Sequence, residues 1–373
     1  MSKKITFKEV AELAGVSTQT VSRVTNGGER VDPETLKRVQ EAIDILGYVP
    51  NKGAQLLVRK KAKTFGVLSL DISMEGASSI VEGIRLESKK AGYSMSLAVS
   101  GQGEENLEEA IRELKSQQVE AILINLPVTK ELAENIVKKH KQIPFLFIDV
   151  PMDAEVNQVS ADHYEGASKI AKLLLSQGRR RFALLNGPSC SDAANQRKLA
   201  WEHEIKKANA EIVGQAEGDW SAKSGYFEAT KLLLQAQKFD ALLVANDQMA
   251  LGALRACSEQ KRAIPEQIAV TGFDDTLNSA YFNPPLTTVR QDFLEIGKQA
   301  IQKILGQLIN NDQDISKQLI PVELIERQST LFIKKDTNSV QKIENLLQEI
   351  QNLLLLFPNR FVILLHIDGK LDR

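Results

Sequence analysis

The sequence predicts an all-α headpiece at the amino terminus, followed by an α/β core of two parallel-sheet subdomains. Three observations support this fold class. Residues 1–63 carry helix caps and short apolar helical faces. From Thr64 onward, short apolar strands alternate with amphipathic helices, as in parallel sheets with right-handed crossovers. The length of 373 residues suits two such sheets in tandem better than one.

Residues 6–26 predict a helix-turn-helix. Thr6 and Glu9 have the spacing of a capping box, which starts a first helix. Gly15 supplies a tight turn, and Ser17 can cap a second helix whose apolar side returns to the first. An ordinary helical hairpin with a polar face is the alternative.

Polar side chains face outward on the second helix, namely Thr18, Gln19, Ser22 and Arg23. Such side chains suit base edges in a DNA major groove, and an arginine fork matches guanine. The charge distribution favours DNA as the partner, because residues 1–63 carry twelve Lys and Arg against seven Asp and Glu, while the whole chain has a net charge of −1.

A third helix and a hinge follow. Asp32 and Pro33 form a strong helix start, and Gly47 ends the helix. The predicted apolar face of this helix is Leu36, Val39, Ile43 and Leu46. Residues 51–59 predict a short hinge helix that is marginal alone and orders on DNA against a dimer mate. A plain interdomain linker is the alternative.

The composition predicts a cytoplasmic protein without a metal or another cofactor. Cys190 and Cys257 lie far apart and show no metal-binding spacing, so we predict two reduced thiols. The first residues lack an apolar export segment, and no run approaches the ~20 apolar residues of a membrane span. We therefore expect no membrane partner.

The core pattern also places polar residues where ligands bind. The predicted strands are 65–70, 93–99, 120–125, 145–149, 181–185, 240–245 and 268–273. The predicted helices include 104–117, 164–177, 194–208, 223–236 and 247–260. Several strands end in a polar residue, namely Asn125, Asp149, Asn246 and Asp274. Open α/β sheets bind ligands at the carboxyl ends of their strands, so these residues predict a small-molecule site.

The residue types of this site suit a sugar. The carboxylates of Asp149 and Asp274 can accept hydrogen bonds from sugar hydroxyls. Arg197 can donate two parallel hydrogen bonds to adjacent oxygens. Trp220 offers a flat apolar face for sugar C–H groups, with Phe293 as a second. Taken singly, a tryptophan is more often a core residue, and an aspartate after a strand is more often a helix cap.

Three stretches carry a family resemblance. Residues 217–222 read EGDWSA, 243–253 read LVANDQMALGA and 284–288 read PPLTT. With the headpiece and hinge, they resemble the lac repressor family of bacterial transcription factors. The resemblance implies a core like that of the periplasmic sugar-binding proteins, with a ligand cleft between two subdomains. The implied domains are a headpiece at 1–50, a hinge at 51–63, a core at 64–332 (subdomains about 64–161 plus 291–320, and 162–290 plus 321–332), a candidate tetramerisation helix at 338–357 and an unassigned tail at 358–373.

The same resemblance implies two binding sites. Its DNA-binding residues are Thr6, Ser17, Thr18, Gln19, Thr20, Ser22, Arg23, Asn26, Asn51, Ala54 and Leu57. Its effector-binding residues are Met74, Gly76, Ile80, Asn125, Asp149, Arg197, Trp220, Asn246, Asp274, Gln291 and Phe293. Leu57 matches an apolar wedge that enters the minor groove and kinks the duplex. Three positions differ from the family pattern, namely Leu70, Ala161 and Ala193. These differences remove hydroxyl groups and an aromatic ring near the ligand, so a galactoside is only the leading candidate.

The carboxy-terminal segment carries a heptad seam. Its residues are Val340, Ile343, Leu347, Ile350, Leu354 and Phe357. This spacing predicts a helix that joins two dimers into a tetramer. The dimer itself is needed to pair two hinge helices, and it predicts a pseudopalindromic operator on double-stranded DNA.

The leading function is a repressor that a small sugar releases from its operator. One alternative is a regulator of the same family that takes a protein or purine corepressor. Another is a transport sugar-binding protein, which requires export. A third is an enzyme that uses Asp149 and Asp274 as glycosidases use two carboxylates. Neighbouring Arg197 and Asn246 favour charged acceptors over an acid of raised pKa, so we predict no enzyme activity.

Overall fold

The computed structural model describes residues 5–25, 31–49, 62–101, 103–235, 238–310, 314–331 and 345–349. The predictions for Asn26, for the hinge residues Asn51, Ala54 and Leu57, and for nearly all of the tail lie outside the described residues. The described residues divide into two compact units. The first unit falls within 1–165, 188–197 and 291–322, and the second within 166–187, 198–290 and 323–373.

Three short helices form the headpiece. They are α1 (Phe7–Ala14), α2 (Thr18–Thr25) and α3 (Pro33–Leu46). The predicted capping box is confirmed: the Thr6 hydroxyl accepts from the Lys8 N–H at 3.2 Å, and the Thr6 N–H donates to the Glu9 carboxylate at 3.0 Å. Left-handed Gly15 (φ 65°) ends α1, and Gly47 (φ 59°) ends α3. The local sequence therefore sets both ends of these helices.

A small apolar core holds the three helices together. Its buried members are Val10, Ala11, Ala14, Val21, Val39 and Ala42. Val24, Ile43 and Leu46 are partly buried and pack against this core. The prediction that Leu36 shares the buried face of α3 is wrong, since 49% of its surface is exposed. The buried face of α3 begins one turn later, at Val39.

The core alternates strands and helices as predicted. Its first part contains β1 (Thr64–Ser69), α4 (Glu75–Lys90), β2 (Ser94–Val99), α5 (Glu104–Ser116), β3 (Ala121–Pro127), α6 (Lys130–Lys139), β4 (Phe145–Asp149) and β5 (Gln158–Ala161). Its second part contains α7 (His163–Ser176), β6 (Arg181–Asn186), α8 (Asp192–Lys207), β7 (Glu211–Glu217), α9 (Ala222–Leu234), β8 (Ala241–Val244), α10 (Asp247–Glu259) and β9 (Ala269–Thr271). The last part contains β10 (Thr288–Arg290), α11 (Phe293–Asn310), β11 (Lys317–Ile320) and β12 (Glu323–Ile325).

Each unit contains a parallel sheet. The six-stranded sheet of the first unit has the order β11-β5-β4-β3-β1-β2, and all its strand pairs are parallel. The four-stranded sheet of the second unit has the order β7-β6-β8-β9, again with parallel pairs. Strands β10 and β12 form a separate antiparallel pair. The predicted fold class is therefore confirmed.

Glycines allow two helix pairs to approach closely. In the first unit, α4 and α11 meet at Gly83 and Gly297, and a Cβ on Gly83 would lie 2.6 Å from the Leu294 carbonyl oxygen. In the second unit, α9 and α10 meet at Gly225 and Gly252, where a Cβ would overlap the facing backbone. Among the described residues, no helix is long and apolar enough to cross a membrane.

Candidate functional site

Several polar residues of the headpiece act as helix caps. The Ser17 hydroxyl accepts from the Thr20 N–H at 3.1 Å and so starts α2. The two hydroxyl groups of Ser17 and Thr20 also lie 2.9 Å apart. Thr6 caps α1 in the same way. These three predicted DNA-binding residues therefore have a structural role whether or not they contact a phosphate.

The outer face of α2 carries the predicted base-reading residues. Thr18, Gln19 and Arg23 are exposed, and Ser22 is half-buried. Val21, on the opposite face, is fully buried in the headpiece core. The buried valine fixes the rotation of α2, so the polar residues project from the headpiece toward solvent.

Asp149 ends β4 and holds the start of α8. One carboxylate oxygen accepts from the Ser191 hydroxyl at 2.8 Å, and the other accepts from the Ala193 backbone N–H at 3.0 Å. Residues 188–197 belong to the first unit, although the sequence analysis placed them with 162–290. The two hydrogen bonds that Ser191 and Ala193 donate to Asp149 are a physical reason for this difference.

Burial raises the pKa of the Asp149 carboxyl above its ordinary value. The hydrogen bonds from Ala193 and Ser191 and the charge of Arg197 lower the pKa, but desolvation outweighs them. The prediction that neighbouring charge prevents a raised pKa is therefore wrong. Burial also raises the pKa of Asp192, and the negative charge of Asp149 adds to this effect.

Arg197 and the half-buried His163 form a pair in the first unit. Arg197 is only 4% exposed, and its Nη2 donates to Nδ1 of His163 at 3.3 Å. Burial, and then the charge of Arg197, holds the pKa of His163 well below its ordinary value, so the ring is neutral. A guanidinium only donates hydrogen bonds, so Nδ1 accepts and Nε2 carries the ring hydrogen. His163 was not among the predicted site residues, because it matches no sequence motif.

Asn125 lies inside β3, two residues before the strand ends at Pro127. The prediction that it ends the strand is therefore wrong. Its amide Nδ2 donates to the Ala77 carbonyl at 3.1 Å, which links β3 to the first turns of α4. Asn125 is 8% exposed, so this bond satisfies a buried donor.

The apolar members of the predicted effector site gather at the start of α4. A Cβ on Gly76 would lie 3.1 Å from the Phe293 ring, so the missing side chain makes room for that ring. Ile80 is buried, while Met74 and Phe293 are half-buried. Gln291, just before α11, is 7% exposed.

Trp220 and Asn246 are brought together in the second unit. The Trp220 ring lies against Gly187, where any Cβ would overlap the indole. The Asn246 Nδ2 donates to the Trp220 carbonyl at 3.1 Å, and its Oδ1 accepts from the Met249 N–H at 2.9 Å. Asn246 therefore caps α10 and fixes the backbone of Trp220, which has a left-handed φ of 75°.

Two consecutive aspartates occupy an unusual backbone conformation. Asp274 and Asp275 have φ values of 132° and 55°. The Asp274 N–H donates to the Val289 carbonyl at 2.8 Å. The Asp275 carboxylate pairs with Arg290 at 2.8 Å and with Arg327 at 2.7 Å. Such conformations persist where the surroundings over-determine them, and they are frequent at ligand sites.

A buried aspartate that the sequence analysis did not single out supports this loop. Asp247 is fully buried, and its carboxylate accepts from the Thr288 hydroxyl at 2.6 Å and from the Thr276 N–H at 3.0 Å. Burial raises the pKa of Asp247. Strand β9 ends at Thr271, so Asp274 lies on this supported loop and not at the strand end that was predicted.

The two cysteines differ in environment. Cys190 is exposed and Cys257 is buried, and both are free cysteines. Burial raises the pKa of the Cys257 thiol to about 12, so this group is inert at neutral pH. Within the described ranges, no three His, Cys, Asp or Glu side chains gather as metal ligands.

Comparisons with known families define the class of the protein. Residues 6–51 match the bacterial regulatory proteins of the lacI family, and residues 171–330 match the periplasmic binding protein-like domain. The helical headpiece and the core of parallel sheets agree with these two matches. The class is therefore a helix-turn-helix regulator with a periplasmic-binding-like core.

Individual relatives place the chain within this class. It is 35% identical to the lactose operon repressor of Escherichia coli (strain K12) over 338 residues, which covers 90% of this chain and 94% of the relative. It is 30% identical to the HTH-type transcriptional repressor PurR of Vibrio vulnificus (strain CMCP6) over 313 residues, covering 83% and 93%. A lac repressor dimer solved with operator and the anti-inducer ONPF has a TM-score of 0.82 at 35% identity, over 88% of this chain and 100% of that one.

The chain belongs to the lacI family of bacterial regulatory proteins. The named relatives are transcriptional repressors and not enzymes, which supports the predicted lack of catalysis. A further solved relative, the transcriptional regulator CelR in complex with cellobiose, has a TM-score of 0.67 at 27% identity over 87% of this chain and 99% of that one.

Proposed function

We propose that this chain is a sequence-specific DNA-binding repressor of a sugar-utilisation operon, and that a small sugar releases it from a pseudopalindromic operator. The observation that carries the proposal is the similarity to the lactose operon repressor over 90% of the chain, through both the headpiece and the core. The exposed polar face of α2 supports DNA as one partner. A galactoside is the first candidate for the effector.

The chemistry of the described residues supports a sugar effector. The first unit offers a buried guanidinium and two carboxyl groups at Arg197, Asp149 and Asp192. The second unit offers the Trp220 ring and the Asp274 carboxylate. Guanidinium and carboxylate groups bind hydroxyls in pairs, and an indole face binds sugar C–H groups. We propose that these residue types serve to bind a sugar.

A second candidate is a regulator whose effector tightens operator binding. The similarity to the PurR repressor over 83% of this chain keeps this candidate open. An effector changes operator affinity only if it binds the DNA-binding state and the released state with different affinities. A fall in operator affinity therefore indicates the first candidate, and a rise indicates the second.

The test is operator binding by the full-length chain during titration with effectors. The operator is first selected from random double-stranded DNA. Methyl β-D-galactoside, lactose, ribose, cellobiose and a purine base are then added in turn, with L-galactose as a stereochemical control. Release by a D-sugar supports the proposal, and tightening by any effector supports the second candidate. No change with any compound contradicts both.

Arg23→Ala is expected to remove most operator preference while leaving the core folded. A bidentate base contact contributes roughly 1–3 kcal/mol of discrimination, so the ratio of operator to random-DNA affinity should fall about 5- to 150-fold. Exposed Lys37 on α3 provides the control, because Lys37→Ala should weaken operator and random DNA equally if it acts through charge alone. An unchanged ratio for Arg23→Ala would show that Arg23 does not read bases.

We also propose a homodimer that the tail joins into a tetramer. Leu277 and Tyr281 are each 85% exposed, which is unusual for large apolar side chains and suits a protein interface.

Truncation after Thr337 is expected to convert a tetramer into a dimer that still binds one operator, because the heptad seam is removed. Analytical ultracentrifugation of both forms measures this. A full-length dimer at micromolar concentration contradicts the tetramer.

A further inference from the structure

We infer that His163 is a positioning residue of the effector site, which holds the Arg197 guanidinium in the orientation that binds sugar hydroxyls. The inference rests on the proposed sugar-binding function and extends it to a residue outside the predicted site. His163 is the first residue of α7, and Arg197 lies in the second turn of α8. The side chains meet through the 3.3 Å contact between Nη2 and Nδ1.

His163 gives Arg197 a directional partner. An arginine side chain has many rotamers, and a fork that binds two oxygens must be held in one plane before the ligand arrives. The Asp149 oxygens accept from Ser191 and Ala193, and Asp149 acts on Arg197 through its charge. Attraction between charges has little directionality. The lone pair of Nδ1, by contrast, lies in the plane of the ring and fixes where Nη2 must point.

The neutral state of the ring is part of this role. A protonated imidazole would turn an N–H donor toward a guanidinium that only donates, and two positive charges would then face each other. Burial and the charge of Arg197 keep His163 neutral. An asparagine at this position offers an amide oxygen near the place of Nδ1 and does not titrate. His163→Asn should therefore preserve the contact, whereas His163→Leu removes it.

The test compares the affinities of a set of related sugars for full-length variants of the chain. The probes are methyl β-D-galactoside and its four monodeoxy analogues, each measured by calorimetry. Arg197→Lys identifies the analogues that lack a hydroxyl bound by the guanidinium fork, because their binding is less sensitive to loss of the fork than that of the parent sugar. His163→Leu is expected to weaken binding of the parent sugar about tenfold, as expected for loss of one hydrogen bond to a charged group, and to weaken binding of those same analogues less than binding of the other analogues. His163→Asn is expected to stay within about threefold of the wild type for every probe.

The control variant is His203→Leu, at an exposed position of the same helix α8, which should change no affinity. Equal weakening of all probes by His163→Leu, together with a lower unfolding temperature, would show a merely structural role and overturn the inference. An unchanged affinity in His163→Leu, or a His163→Asn as weak as His163→Leu, would overturn it as well. If the wild type prefers another sugar of the operator test, that sugar and its deoxy analogues replace the galactosides. A wild type that binds no sugar contradicts both this inference and the proposed function.

Discussion

Replacing Asp274 with alanine is expected to abolish the response to sugar without weakening operator binding. A carboxylate that accepts hydrogen bonds from two sugar hydroxyls makes two charge-assisted hydrogen bonds of roughly 1.5–3 kcal/mol each. Its loss should therefore lower sugar affinity about 100-fold or more. The headpiece has its own capped helices and apolar core, so it should still bind DNA. Calorimetry with the sugar and a binding assay with the operator measure the two effects.

The backbone at Asp274 requires a second variant. Its φ of 132° is one that alanine rarely adopts, so Asp274→Ala also tests the loop conformation. Asparagine tolerates positive φ better and keeps the size of the side chain, so Asp274→Asn removes the charge with less strain. Exposed Glu266 serves as the control acid. Wild-type sugar affinity in Asp274→Asn would contradict the assignment of the carboxylate to sugar binding.

The sequence predicts seven strands, which correspond to β1, β2, β3, β4, β6, β8 and β9, and it misses the others. β3 is an almost uninterrupted apolar run, and its buried side chains make it visible in the sequence. β7 lies at the edge of its sheet, has no buried residue and reads EIVGQAE, so no apolar run marks it. β5 is buried but has only four residues, and Gln158 and Ser160 interrupt its apolar pattern. A continuous apolar run, and not burial alone, thus decides which strands a sequence pattern shows.

The candidate site was predictable in its residue types and not in its pairs. A polar residue after an apolar strand is visible locally, which is why Asp149 and Asn246 were predicted. The contact between Arg197 and His163 joins residues 34 positions apart, and that between Asp149 and Ser191 joins residues 42 positions apart. The raised pKa of Asp149 depends on the depth of burial, which the sequence pattern does not give. Pairing and desolvation are properties of the folded chain.

Replacing Gly252 with valine is expected to disrupt the second unit more than any surface change. A Cβ on Gly252 would overlap the Ala222 carbonyl oxygen and lie 2.5 Å from the Tyr226 backbone nitrogen. Both obstacles belong to the α9 backbone, so no side-chain rotation relieves them, and the helices must move apart. Overpacking of this kind costs about 3 kcal/mol, at the upper end of the usual range, because a whole helix pair loses contact.

The two tryptophans of the chain make this effect measurable in one unit. Trp201 and Trp220 both lie in the second unit, so urea unfolding followed by tryptophan fluorescence reports on that unit, while far-UV circular dichroism follows helices throughout. Gly306 on α11 is the matched helical control, because a Cβ there meets nothing within 4 Å. Gly306→Ala should stabilise by about 0.5–1 kcal/mol through helix propensity, with no shift in the fluorescence transition. If Gly252→Val shows the same fluorescence unfolding transition as the wild type, close backbone contact does not hold α9 and α10 together. The positions of Asn246 and Asp247, which support Trp220 and Asp274, would then depend on other contacts.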